Sequence, residues 1–149
     1  MSAPRRIVVG VDASPCARRA LCWALDVAPA LGAEVVAVHA LGLLSHLGAT
    51  AEPAESHRRN VQDAFDEQWC APLRTSAVPS RRLLVDGNPV TALLSAAADL
   101  GADLIVVGSR GHGGFPGLQL GSTSHQLVQH ATTPVVVVPP DPSDPEPAP

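Results

Sequence analysis

Five short apolar runs rich in β-branched residues punctuate the chain: "RRIVVGVD" (5–12), "AEVVAVHAL" (33–41), "RRLLVDG" (81–87), "ADLIVVGS" (102–109) and "TPVVVVPP" (133–140). Each is too short for a helix and too continuously apolar for a strand with one wet face, so each reads as a strand covered on both sides. The segments between them carry helix signals. Ser14 and Pro15 give an N-cap and a proline at the first helical position. Ala17, Ala20, Leu21, Ala24, Leu25, Ala28 and Leu31 then recur at helical spacing up to Gly32. Asn88 and Pro89 repeat the same start for a helix running to Gly101, a more polar helix is expected over 54–75, and a last one over 121–131. Strands alternating with helices build βαβ units, and hence an α/β domain around a parallel sheet. The expected domain covers residues 1–140. Residues 141–149 belong to an acidic tail, and six prolines in "PPDPSDPEPAP" make it an extended, disordered appendage.

Several function classes are disfavoured. All ten cations are arginine, so the G-K-[ST] of a P-loop cannot be written in this chain. The net charge of −4 is largely the tail's, and a near-neutral body carries no footprint for nucleic acid. No apolar run approaches the ~18 residues that suggest a membrane span, and the N-terminus lacks a signal-peptide core. The expectation is a cytoplasmic protein. Cys16, Cys22 and Cys70 form no C-x-x-C pair, and an odd count argues against a disulfide framework, so buried or half-buried thiols are expected. Cys16 falls in the first turn of a helix, where a thiolate is favoured, which leaves a redox role open. There is no G-x-S-x-G and no H-E-x-x-H, and Pro116 interrupts a would-be G-x-G-x-x-G.

The segment "GSRGHGGFPGLQLGS" (108–122) holds six of the chain's 12 glycines. Connections in α/β units take about 2–6 residues, whereas this one needs about twelve. Glycine costs backbone entropy, and a cluster is explained where backbone must approach a ligand closely. The segment leaves the carboxyl end of a strand and enters a helix N-terminus, where amides and helix dipole attract phosphate. Ser122 and Thr123 add hydroxyls, Arg110 adds a positive charge, and His112 is within sequence reach of the same anion. Tight turns with no ligand would use the same residues. Asp12 ends the first strand on the same sheet edge, where its carboxylate can accept from ribose or from an adenine amino group, or cap the helix that follows.

Gly108, Gly111, Gly121 and Ser122 reproduce the G-x2-G-x9-G-[ST] spacing of nucleotide-binding members of the universal stress protein family, and residues 5–139 resemble that family almost throughout. Ala13 stands where the family often has glycine. The resemblance implies a Rossmann-like sheet in the order 3-2-1-4-5 with helices on both faces. It also implies ATP, with or without Mg2+, as ligand. Asp12, flanked by Ala13 and Ser14, would meet the nucleoside, and Ala40 would line the adenine pocket through its backbone. Gly108, Gly111, Gly121, Ser122 and Thr123 would hold ribose and phosphates. The implied role is regulatory, with no enzymatic activity or at most slow ATP hydrolysis; a nucleotide-free interaction module of the same fold is the alternative. In that order the fifth strand is an edge, so "PVVVV" (134–138) is expected to pair two chains into a homodimer.

Overall fold

The computed structural model describes residues 5–42, 55–110 and 120–143. Five parallel strands form one sheet in the order β3-β2-β1-β4-β5. They are β1 (Arg5–Gly10), β2 (Ala33–Ala40), β3 (Ser80–Val85), β4 (Leu104–Gly108) and β5 (Val135–Val138). The helices are α1 (Pro15–Leu31), α2 (Glu55–Ala64), the single turn α3 (Ala71–Arg74), α4 (Pro89–Leu100) and α5 (Ser122–His130).

The strand period divides the apolar residues between two cores. Ile7, Val9, Val35 and Ala37 point to the face covered by α1, together with Leu21 and Phe65. Val8, Val36, Val38 and Ile105 point to the opposite face, beneath α4 and α5, where Leu93 and Leu127 pack. Both faces of the central strands are therefore dry, which is why their sequences show no polar alternation. α1 starts where expected: Ser14 Oγ accepts from the Ala17 amide at 3.1 Å. It stops at Gly32, whose φ of 62° is the left-handed conformation that closes a helix. Asn88 and Gly101 bracket α4 in the same way.

The expected single helix over 54–75 is corrected. α2 gives way to a π-helical turn at Phe65–Trp69 before α3. Phe65, at the start of that turn, is fully buried, while α2 itself buries nothing. Several strands are also shorter than their apolar runs: β1 ends at Gly10 rather than Asp12, and β4 starts at Leu104. Of the thiols, Cys16 and Cys70 are buried, but Cys22 is exposed on α1. No described helix is long and apolar enough to cross a membrane. Of the tail, only Asp141–Ser143 lies among the described residues.

Candidate functional site

Strand order reverses between β1 and β4, since β1 connects toward β2 on one side and β4 toward β5 on the other. At the carboxyl ends of these strands the crossovers leave in opposite directions, and a cleft opens between them. It has a volume of about 660 Å³, inside the range typical of small-molecule sites. Its walls come from β1 (Gly10), β2 (Val38, His39), α4 (Leu93), β4 (Val107) and the start of α5.

One side of the cleft is built by the start of α5. Its N-cap, Gly121, has no side chain to offer, and no side chain among the described residues caps the helix. Ser122 and Thr123, which open the first turn, line the cleft together with Gly121. Their amides belong to the group a helix leaves without internal partners. The Gly121 amide is committed elsewhere, donating to the Ser109 carbonyl at 2.6 Å. Ser124 Oγ donates to the same Ser109 carbonyl at 3.1 Å, and it is buried. Two bonds thus converge on one carbonyl and clamp the base of the glycine-rich segment. Ser124 belongs to the site's scaffold and went unnoticed in the sequence, where a serine inside a helix gives no signal. Arg110 also lines the cleft, and its Nε is buried with no hydrogen-bond partner among the described residues. The Nε itself is closed off from solvent; the residue as a whole lines the cleft and puts a guanidinium, a group suited to anions, at its wall.

The nucleoside-facing candidates behave less uniformly. Asp12 lines the cleft, and its Oδ1 accepts from the Ser14 amide at 2.7 Å, so it also makes the turn that starts α1. Both sequence readings of Asp12 are compatible with this, because a carboxylate has a second oxygen. Ser14 is buried and its hydroxyl is spent on capping α1. Ala13 is exposed and does not line the cleft. Ala40 lines it at the end of β2. Gly111 and His112 lie outside the described residues.

Two glycines are closely packed, Gly108 against backbone and Gly10 against side chains. A Cβ on Gly108 would come within 2.8 Å of the Cys16 carbonyl carbon and 2.9 Å of its Sγ, because β4 passes under the first turn of α1. A Cβ on Gly10 would meet Leu93 and Val107 at 3.1 Å. Gly10 was readable as a glycine inside a β-branched run, which signals close approach. His39 is the other residue that sequence reasoning left without a role of its own. Its Nδ1 lies 2.7 Å from the Val11 carbonyl. The ring stands edge-on to Trp69, with centroids 4.8 Å apart, and 6.0 Å from Phe65. Burial holds the imidazole below its usual 6.5, against the opposing pull of the Val11 hydrogen bond and the Asp12 charge. A carbonyl can only accept, so Nδ1 carries the proton.

The universal stress protein family model matches residues 4–139. A universal stress protein of Mycobacterium tuberculosis is 36% identical over 93% of this chain. The chain spans 46% of that relative's length, about half of the mycobacterial proteins it matches. A universal stress protein from Thermus aquaticus, encoded beside a sulfhydrylase gene, is also 36% identical, over 90% of this chain and 98% of its own. Among solved structures, a universal stress protein in complex with cAMP has a TM-score of 0.61 and 28% identity, covering 92% of this chain and 98% of its own. An Arabidopsis thaliana family member with AMP bound shares the fold, with a TM-score of 0.64, 21% identity and 95% coverage of both chains.

Proposed function

From the premise that the chain belongs to the universal stress protein family, we propose that the cleft binds an adenine nucleotide, ATP in particular, and that binding serves regulation with little or no turnover. The observation that carries this reading is the convergence of Asp12, Arg110 and the start of α5, which no described side chain caps, on one cleft. A carboxylate suits ribose hydroxyls, while a guanidinium and a helix N-terminus suit phosphates. The relative solved with cAMP holds a nucleotide of the same base and sugar. Arg110 with the Ser122 and Thr123 amides would hold the phosphates, Asp12 Oδ2 the ribose, and the Ala40 backbone the base. Mg2+ would share the phosphate charge when present. Hydrolysis needs a group that orients or activates water and one that stabilises the developing charge. Arg110 could do the second; for the first the described lining offers Asp12, His39 and His125, of which Asp12 and His39 already bond to backbone, so turnover is a matter for the phosphate-release test.

The reading includes a homodimer through Pro134–Val138 and a cytoplasmic location. Isothermal titration with ATP, tripolyphosphate and GTP tests the nucleotide. Micromolar ATP binding is expected, with Asp12→Asn weakening ATP more than tripolyphosphate. Equal losses would show that Asp12 does not read the sugar. Phosphate release followed over hours with saturating ATP tests turnover. A second reading, a nucleotide-free interaction module, is favoured by the internal duties of Gly108 and Gly121; absence of binding to any of the three ligands would select it.

A further inference from the structure

His125 lines the cleft from α5, beside Gly121, Ser122 and Thr123 and in company with Arg110. Its amide donates to the Gly121 carbonyl at 3.0 Å, which closes the first turn of the helix. Residues three apart share a helix face, so His125 stands above Ser122. Cα–Cβ bonds tilt toward a helix N-terminus, and long side chains lean over the turn before their own Cα. The turn below His125 holds Gly121, with no side chain, and Ser122, with a short one. The imidazole therefore overhangs the start of α5, and the residue is exposed.

The charges gathered there are of one sign. A helix N-terminus is partly positive and favours acidic side chains in its first turn. The first turn of α5 holds none. Its company in the cleft is instead an arginine and a histidine. The other ionisable groups of the described lining are Asp12 and His39, both already bonded to backbone. Of the elements packed on α5, α4 brings only Pro89, Ala92 and Leu93 to the cleft, its one acid, Asp99, being in its last turn, and β5 is all valine. A positive helix end joined by two basic side chains, with no acid of its own, is completed by an anion.

The two basic groups differ in kind. Arginine keeps its charge at every working pH, whereas histidine is the side chain suited to change its own between about pH 5 and 8. We propose that His125 is a proton-dependent phosphate ligand, which adds a switchable charge to the fixed one of Arg110, so that the cleft holds polyphosphate more tightly as pH falls. The neutral ring has one N–H donor and no charge. The protonated ring has two donors, each able to make a charge-assisted bond to a phosphate oxygen. The role rests on the phosphate half of the nucleotide reading above, and it makes occupancy of the cleft follow pH.

Tripolyphosphate and adenosine are titrated separately into the full chain, by calorimetry, at pH 5.5 and pH 8. Phosphate changes charge in the same window, so each variant is compared with the wild type at one pH. His125→Gln keeps a polar side chain without a titratable charge. His130→Gln, in the last turn of α5 and outside the cleft lining, controls for the loss of a histidine. The wild type should bind tripolyphosphate about tenfold more tightly than His125→Gln at pH 5.5, and within about twofold of it at pH 8. His125→Arg should match the wild type at pH 5.5 and exceed it at pH 8. His130→Gln should follow the wild type at both, and adenosine should bind all four proteins alike. A ratio of wild type to His125→Gln that is the same at the two pH values would overturn the role of His125, and would leave the nucleotide reading standing where ATP still binds. The expected ratio for tripolyphosphate, with no affinity for adenosine and none gained by ATP, would uphold His125 as an anion ligand and reject the nucleotide. A wild type that binds no tripolyphosphate at either pH would overturn both.

Discussion

Gly108 shows how one position can answer to two demands. It belongs to the glycine spacing that suggests a phosphate loop, yet its missing Cβ is required by the backbone of Cys16. Backbone cannot rotate aside as a side chain can, so Gly108→Ala should cost about 1–3 kcal/mol, the usual penalty of overpacking. Urea unfolding without nucleotide measures this, and an unchanged midpoint would show that β4 does not press on α1. The thiols make a second residue-scale prediction. Cys70 is buried, and desolvation pushes its pKa up to about 12, with the nearby Arg82 guanidinium pulling weakly the other way. Cys22 is exposed. At pH 8 a maleimide should label one thiol per chain quickly, at Cys22, and reach Cys16 and Cys70 only on unfolding. Peptide mapping of labelled protein identifies the site. The motif glycines were legible in the sequence, but the packing duty of Gly108 was not, because a spacing pattern does not say which atoms lie opposite each Cα.

At the scale of elements, the caps were the most legible features. Ser14, Gly32, Asn88 and Gly101 close their helices as their identities imply, since capping is a local exchange between a side chain or a φ value and nearby amides. The π-helical turn was not legible. "FDEQW" (65–69) carries ordinary helix formers, and the turn registers only through the burial of Phe65 and the approach of Trp69 to His39. The burial of His39 makes folding sensitive to acid. The folded imidazole has a lowered pKa, so the unfolded chain binds the proton more readily. Stability is therefore full above about 6.5 and falls as pH drops below it, toward the depressed folded value. Thermal midpoints measured from pH 7.5 to 5 should decline in the wild type and decline less in His39→Asn. Parallel slopes would mean that His39 takes up its proton equally in the folded and unfolded states, so that folding does not lower its pKa.

At the scale of the whole molecule, β5 leaves one sheet edge open. The Pro134 and Val138 carbonyls are taken by β4, through the Ile105 and Ser109 amides at 2.9 Å. By alternation, Val135 and Val137 turn their N–H and C=O outward, toward the unpaired side. If two chains pair there, Val137→Pro removes an outward donor without touching the β4 ladder. Light scattering at micromolar concentration should give a dimer for the wild type and a monomer for Val137→Pro, with unchanged circular dichroism. A monomeric wild type would reject pairing through this edge.

The sequence by itself determined the layered α/β plan, the ends of α1 and α4 and the region of the cleft. These follow from periodicity, capping and the loop after β4, which are properties of residues near one another in the chain. Tertiary structure alone decided where β1 leaves β2, why Gly10 and Gly108 have no side chain, and that Arg110 Nε is buried without a partner among the described residues. Each of those facts depends on atoms brought together from distant segments. Only the packed sheet sets the distances between Val11 and His39, or between Cys16 and Gly108.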